Sequence, residues 1–321
     1  MSAPLHVMAA VIRSPAGRVL IARRPEDKDQ GGLWEFPGGK REPGETRTAA
    51  LARELREELG IEVRQARPLI QVRHAYPNKT VLLDVWQVTA FDGEAQGLEG
   101  QPVRWVWPDE LPDYRFPAAN YPIISAARLP ERYLITPDEP NPELLLERVE
   151  QALAAGITLI QLRAPQLSEA EYRCLAQRVL TRCLHPERLM FKGPLAWADE
   201  FPSVGWHLTA RQLHQLPVGA RPLAAHRWLA ASCHSAAELD KALALGVDFV
   251  TLSPIQPTQT HPEAQPLGWE KAQQLIADFP RPVYLLGGMK TEDVPRAFEI
   301  GAQGVAGIRG ILTMLFNGEN L

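Results

Sequence analysis

The sequence contains three closely spaced glutamates, Glu54, Glu57 and Glu58. In a helix, this spacing would place Glu57 and Glu58 one turn after Glu54, next to it on the helix surface. Like charges at this spacing repel, and the last turn of a helix already carries the negative end of its dipole. A divalent cation would relieve the repulsion, because carboxylate oxygens suit Mg²⁺ or Mn²⁺, which also bind substrate phosphates. The alternative is a solvated acidic face that pairs with Arg53 and Arg56. These residue types therefore predict metal-assisted phosphate chemistry or an ordinary charged surface.

The segment around the glutamates predicts a loop that leads into a helix. Thr46 is suited to cap the helix, and Gly60 to end it. Glycine and proline disfavour regular structure before the cap, at Gly38, Gly39, Pro43 and Gly44. Between cap and stop, an apolar face is formed by Leu51, Leu55 and Leu59. The glutamates are thus predicted to lie on a short amphipathic helix.

The whole segment resembles the Nudix box, the signature of hydrolases that act on nucleoside diphosphates linked to another group. Its fixed positions are filled by Gly39, Glu45, Arg53, Glu54, Leu55, Glu57, Glu58, Gly60 and Ile61. Further segments resemble the MutT type, the 8-oxo-dGTP diphosphatases: WEFPGGK at 34–40, LEGQP at 98–102 and FPAANYPII at 116–124. The resemblance implies an α/β/α sandwich with a mixed sheet.

The same resemblance implies roles for individual residues. The metal shell would comprise the Gly38 carbonyl, Glu54, Glu57, Glu58 and Glu99. Glu54 is the favoured base, with Glu99 as the alternative, Arg53 would orient the carboxylates, and Glu57 would complete the catalytic set. The nucleotide would be surrounded by Arg24, Phe36, Gly39, Lys40, Asn78 and Asn120. Two of these have alternative interpretations: Asn120 as a helix N-cap or turn residue, and Phe36 as a core residue. Asn78 departs from the family, which usually has an acid at this position.

The implied reaction converts 8-oxo-dGTP and water to 8-oxo-dGMP and pyrophosphate, and so cleans the nucleotide pool and avoids replication errors. Mg²⁺ is the expected cofactor, and Mn²⁺ an alternative.

Length and composition indicate two globular domains, which we place at residues 1–129 and 130–321. The formal charge of −4 and the lack of a long basic run argue against stable binding to a nucleic acid polymer. Cys174, Cys183 and Cys233 lack CxxC spacing and are expected to be reduced thiols. No apolar run is long enough for a bilayer, and we see no signal-peptide pattern. We therefore expect a soluble, cytoplasmic protein without membrane partners.

The second domain alternates strand-like and helix-like runs, which predicts a (β/α)8 barrel of TIM type. The strand-like runs include 133–136, 158–162, 205–208, 228–232, 249–252, 283–286 and 304–308; the helical runs include 142–155, 168–184, 236–245 and 270–278. Gly287 and Gly288 follow the predicted seventh strand, and Gly307 and Arg309 accompany the eighth. TIM barrels often bind phosphate there, so a second small phosphorylated ligand is possible, although tight turns and surface exposure are the alternatives.

This half also resembles thiamine phosphate synthase, a TenI-like barrel, in the segments QLR at 161–163, GWHL at 205–208, SPIQPTQT at 253–260 and GGM at 287–289. The departures fall on the family's charged groups. Lys192 and Gly193 replace Asn-Asp, Gln212 replaces a metal-binding aspartate, and Pro165 and His261 replace lysines. We therefore expect a barrel without synthase activity. Two other functions stay open: hydrolysis of thiamine diphosphate or a damaged relative by the first domain, and a bifunctional protein that retains thiamine phosphate synthase activity.

Overall fold

The computed structural model describes residues 4–27, 30–77, 79–258 and 263–312. The chain divides into two compact units. The first comprises Met1–Leu129 and Ala277–Arg281, and the second Pro130–Ile276 and Pro282–Leu321. Within the described residues, no helix is both long and apolar enough to cross a membrane. Cys174, Cys183 and Cys233 are all free thiols, as expected.

The first unit contains two small sheets. Its strands are β1 (Leu5–Ile12), β2 (Val19–Arg23), β3 (Trp34–Glu35), β4 (Glu62–Tyr76), β5 (Lys79–Asp92) and β6 (Val103–Val106). One sheet has the order β1-β5-β4, with β1 parallel and β4 antiparallel to β5. The other has the order β3-β2-β6 and is antiparallel. The mixed pairing confirms the predicted mixed architecture.

Two helices cover the sheets, α1 (Arg47–Leu59) and α2 (Tyr121–Arg128). Leu51, Leu55 and Leu59 of α1 belong to one buried cluster, together with Met8 and Ile12 of β1. The apolar residues of α2 belong to a second cluster, which contains Val11, Ile21, Ile123 and Ile124. Residues on alternate sides of a strand point to opposite faces, so the sheets carry a core on each face. This is the predicted α/β/α sandwich.

Helix α1 begins and ends as the sequence predicts. The Thr46 side chain accepts a hydrogen bond of 3.1 Å from the Ala49 N–H. Gly60 ends the helix with a φ of 70°, and its N–H donates to the Arg56 carbonyl at 3.0 Å. Side-chain capping and a left-handed glycine satisfy backbone groups that a helix otherwise leaves unpaired. The position of the acidic turn is thereby fixed at both ends.

Residues 6–13 and 18–24 are two apolar runs on either side of turn residues 14–17, a pattern that predicts a hairpin, but this prediction is wrong in its pairing. The turn at residues 14–17 is present, but β1 and β2 are joined only by an isolated bridge between Arg13 and Val19. The other edge of β1 is occupied instead by the loop that precedes α1: the Met8 N–H donates to the Gly39 carbonyl, and the Ala10 N–H to the Pro37 carbonyl, both at 2.8 Å. A strand edge that already has partners cannot pair with β2.

The second unit is a closed barrel of parallel strands, which confirms the predicted (β/α)8 class. Its strands are β7 (Arg132–Ile135), β8 (Ile160–Leu162), β9 (Leu189–Phe191), β10 (Gly205–Leu208), β11 (Leu229–Cys233), β12 (Phe249–Leu252), β13 (Val283–Leu285) and β14 (Gly304–Gly307). They follow one another in order around the barrel, and β14 closes against β7.

The α-helices of the barrel are α3 (Pro142–Ala154), α4 (Glu169–Arg182), α5 (Ala210–Gln215), α6 (Ala236–Leu245), α7 (Gly268–Ile276), α8 (Val294–Glu299) and α9 (Arg309–Leu312). A short 3-10 helix, Leu195–Asp199, follows β9. In parallel barrels the loops after the strands meet at one end, which is where such folds build their sites.

Candidate active site

The glycine loop before α1 lies directly against β1. Gly38 has a φ of 143°, which side chains rarely adopt, and a Cβ at this position would lie 2.2 Å from the Met8 carbonyl oxygen. A side chain at Gly38 would therefore push the loop away from the strand. Glycine at position 38 therefore allows the loop before the acidic helix to pack closely against β1.

Gly39 makes room for Glu54. A Cβ built on Gly39 would lie 2.1 Å from Glu54 Oε2 and 2.3 Å from its Cδ. The Glu54 carboxylate therefore rests against the bare backbone of the loop. Burial raises the pKa of Glu54, and the hydrogen bond from Arg53 opposes that rise.

Arg53 holds the carboxylates around it. It donates to both oxygens of Glu45, at 2.7 and 3.0 Å, and to Glu54 at 2.9 Å. It also donates to Glu57 at 3.1 Å and to the Lys40 carbonyl at 3.0 Å. The hydrogen bond from Arg53 lowers the pKa of Glu45 to about 2. Arg53 thus ties the loop to two of the predicted metal ligands, Glu54 and Glu57.

Glu58 is the most perturbed carboxyl of the site. Burial raises its pKa to about 8, and the nearby charges of Glu35, Glu99 and Glu54 act in the same direction. The Gly38 N–H donates to Glu58 Oε2 at 3.0 Å and partly offsets this rise. A carboxylate buried among other carboxylates lacks a compensating positive charge. The electrostatics of Glu58 therefore favour a bound cation.

The loop that carries Glu99 is attached to the end of α1. The Leu98 N–H donates to the Glu58 carbonyl at 2.9 Å, and Gln101 Nε2 donates to the same oxygen at 3.1 Å. The Glu99 N–H in turn donates to Gln101 Oε1 at 2.9 Å. Gln101 is thus a supporting residue that sequence reasoning missed, although it lies within the LEGQP segment.

The oxygen atoms offered by the predicted metal ligands are of the kind that a divalent cation prefers. Among the described residues, however, no group of three or more His, Cys, Asp or Glu side chains already stands close enough together to hold a metal ion. Glu57 is turned toward Arg53, and Glu99 is exposed on its loop. The expected convergence of Glu54, Glu57 and Glu58 is therefore incomplete as the side chains stand. Carboxylate and carbonyl oxygens are the donors that hard cations prefer, and Glu58 shows the charge deficit that such a cation would remove.

The predicted nucleotide residues are found in different settings. Arg24 donates to Glu35, a half-buried carboxylate that sequence reasoning did not single out. Burial raises the pKa of Glu35, against the attraction of Arg24. Phe36 is buried and stacks on Phe116, with ring centroids 5.3 Å apart, which matches its reading as core.

Lys40 is exposed, and its described contacts are made by its backbone. Asn78 lies outside the described residues. Asn120 is 8% exposed and occupies the N-cap position of α2, but its side chain makes no capping hydrogen bond. Asn120 therefore has the cap position that the alternative interpretation gave it, without the side-chain hydrogen bond of a cap.

In the barrel, the predicted phosphate residues come together. Gly287, Gly288, Gly307 and Arg309 all line one cavity of about 340 Å³. The positive φ angles of Gly287 and Gly288, 97° and 68°, allow the backbone to turn along this wall. A second cavity of about 420 Å³ adjoins it and shares the lining residues Thr258, Leu286, Gly287 and Ile308.

Comparison with known proteins gives a family for each of the two units. Residues 8–126 match the sequence profile of the NUDIX domain, and residues 132–311 match that of thiamine monophosphate synthase. A CTP pyrophosphohydrolase of Escherichia coli is 40% identical over 122 residues, which are 38% of this chain and 90% of the relative. An 8-oxo-dGTP diphosphatase of Escherichia coli is 36% identical over 121 residues, 38% of this chain and 94% of the relative.

For the barrel, a putative thiamine-phosphate synthase 2 of Aquifex aeolicus is 33% identical over 182 residues, 56% of this chain and 96% of the relative.

The first unit matches a family of hydrolases. The chain belongs to the Nudix family through its first unit and to the thiamine monophosphate synthase family through its second. Nudix hydrolases generally use divalent metal ions.

Proposed function

We propose that the first unit hydrolyses 8-oxo-dGTP to 8-oxo-dGMP and pyrophosphate and so removes an oxidised nucleotide from the pool. Mg²⁺ is the proposed cofactor, with Mn²⁺ as a substitute. It would be held by Glu54, Glu57, Glu58, Glu99 and the Gly38 carbonyl, and would neutralise the phosphate charge. Glu54 would orient or deprotonate the attacking water, and Arg53 would keep Glu54 in place.

The observation that carries the choice of substrate is the Asn120 side chain. Asn120 is 8% exposed, and its side chain makes no hydrogen bond that caps α2. An amide of this kind offers a donor beside an acceptor. Guanine presents two acceptors at N7 and O6, whereas oxidation at C8 turns N7 into an N–H donor beside the O6 acceptor. Asn120 can pair with both groups only in the oxidised base.

CTP is a second candidate. Cytosine places its N4 amino donor beside the N3 acceptor, so one amide could pair with that edge as well. The CTP pyrophosphohydrolase of Escherichia coli is also similar over the same domain. The two nucleotides differ in size and in the position of the paired edge, so competition between them is measurable.

Replacement of Asn120 by alanine tests the proposed recognition. We expect Asn120→Ala to lower kcat/KM for 8-oxo-dGTP by about 100-fold and that for dGTP by less than about tenfold, because only the oxidised base uses both groups of the amide. Ser125→Ala on the same helix is the matched control and should change neither value. An equal loss for 8-oxo-dGTP and dGTP would show that Asn120 supports the fold rather than base recognition.

A further inference from the structure

The larger barrel cavity contains the amine of Lys192, which has no part in the hydrolysis proposed for the first unit. Lys192 follows β9 directly and lines the 420 Å³ cavity together with Arg163 and Ser232. Its Nζ lies 3.2 Å from Ser232 Oγ. Among the described residues that line this cavity and its neighbour there is no carboxylate. The ammonium form of Lys192 therefore has no described ion-pair partner.

The groups behind Lys192 are uncharged. Ser232 Oγ lies 3.0 Å from His207 Nε2, and His207 Nδ1 lies 3.0 Å from the hydroxyl of Tyr133. His207 is fully buried, and burial lowers its pKa well below the ordinary value, so the imidazole is neutral. Burial, followed by the charge of Arg163, lowers the pKa of Lys192 to about 8. A lysine that is desolvated beside another cation is activated as a nucleophile.

The described positions next to Lys192 offer no carboxylate side chain that could bind a metal at this point. Gly193 has no side chain, and Gln212 donates to the Gly193 carbonyl at 2.8 Å. The Gln212 carbonyl oxygen accepts from the N–H of Thr209 at 2.9 Å. Both polar groups of Gln212 are thus used within the protein. The described wall of the cavity offers the Lys192 amine and the Arg163 guanidinium, which is paired with Asp138, rather than a set of hard oxygen ligands.

We propose that Lys192 forms an imine with a small phosphorylated aldehyde or ketone that binds across the two cavities. The ligand's phosphate would lie against the glycine-lined wall at Gly287 and Gly288, and its carbonyl carbon at Lys192. The Nζ lone pair attacks the carbonyl carbon to give a carbinolamine. Loss of one water molecule, made from the carbonyl oxygen, an amine hydrogen and a proton, leaves the protonated imine. No oxidant or reductant is required.

Reductive trapping on the intact chain tests this proposal. Glyceraldehyde 3-phosphate and cyanoborohydride should add one ligand per chain, and peptide mapping should place it on Lys192. We expect labelling with unphosphorylated glyceraldehyde to be slower by about tenfold or more, and excess inorganic phosphate to slow labelling by glyceraldehyde 3-phosphate. Lys192→Met should lose the adduct, whereas Lys271→Met, at an exposed lysine of α7, should label as the native chain does.

Lys192→Arg provides a second variant, because it keeps the positive charge and cannot form the trapped amine adduct. Circular dichroism and a melting curve establish that each variant is folded. The proposal is overturned if adducts spread over exposed lysines to the same extent in the native chain and in either Lys192 variant. It is also overturned if glyceraldehyde 3-phosphate binds without being trapped, which would make Lys192 a plain anion-binding residue.

Discussion

At the scale of single residues, the site depends on a glycine as much as on its acids. Gly39 leaves the space in which the Glu54 carboxylate lies, and Arg53 bonds to that carboxylate from the other side. The Nudix-box pattern contains both residues, so the sequence alone could predict that they belong together. It could not show that Glu35 and Gln101 complete the surroundings of Glu58, because they come from separate loops and strands.

Replacement of Gly39 by alanine separates activity from stability. The added Cβ would occupy the position of the Glu54 carboxylate, a flexible group that can turn away at little cost to the fold. We expect kcat to fall by about 100-fold, with the melting temperature changed by only about 1–3 °C. Gly44→Ala is the control for a loss of stability without a change at Glu54: a Cβ there meets no atom within 4 Å, but the φ of 85° strains a side chain, so its melting temperature should fall while kcat stays near normal. Near-normal turnover in Gly39→Ala would mean that Glu54 is not the essential carboxylate.

At the scale of elements, helix α1 is held at several points before any ligand binds. Arg47 in its first turn donates to both oxygens of the buried Asp84 on β5, at 2.5 and 2.6 Å, and Trp86 Nε1 donates to the same carboxylate at 3.0 Å. Burial favours a raised pKa for Asp84, but the hydrogen bonds and the charge of Arg47, together with the contact from His6, outweigh it, so the pKa is lowered. This ion pair joins α1 to the sheet, away from the acidic turn.

The acidic turn of α1 should make the metal-free protein sensitive to pH. The pKa of Glu58 is raised from 4.5 to about 8 in the fold, so the folded state keeps a proton that the unfolded state has already lost. Stability is then lost as the pH rises from about 5 to about 8, by about 1–3 kcal/mol after allowance for solvent screening. Melting curves of the metal-free chain at these two pH values measure the loss.

Two controls make this prediction specific to Glu58. Glu58→Gln should remove most of the pH dependence, whereas Glu94→Gln, on an exposed loop, should retain it. Saturating Mg²⁺ should restore stability at the higher pH in the native chain, because a cation bound to the ionised carboxylate stabilises the folded state. An unchanged pH dependence in Glu58→Gln would contradict the assignment.

Elements with local signals were predictable, and pairings between distant elements were not. Thr46 and Gly60 fix α1 through contacts within a few residues, and the strand and helix periods of the barrel are equally local. The pairing of β1 was mispredicted because its free edge is taken by the loop at Pro37 and Gly39, which lies far along the chain and has no strand pattern. The neighbourhood of Lys192 likewise joins residues from different strands.

At the scale of the whole molecule, a unit of the Nudix hydrolase family is combined with a barrel of a synthase family. The described lining of the barrel cavities has no carboxylate to hold a metal-bound diphosphate leaving group. We therefore expect the intact chain to form no measurable thiamine phosphate from the pyrimidine diphosphate and the thiazole phosphate, even in excess Mg²⁺. Product analysis by chromatography, with an active synthase as the positive control, measures this. Steady product formation would show that the barrel retains the family reaction.

We propose that the acidic helix α1 serves the hydrolysis of an oxidised purine nucleotide. The most direct measurement is steady-state hydrolysis of 8-oxo-dGTP, dGTP, CTP and thiamine diphosphate by the intact chain, side by side with Mg²⁺. We predict that kcat/KM for 8-oxo-dGTP exceeds that for each of the other three by at least about 100-fold, with pyrophosphate as the second product. A higher kcat/KM for CTP or for thiamine diphosphate would contradict the account and remove Asn120 from the recognition of 8-oxoguanine.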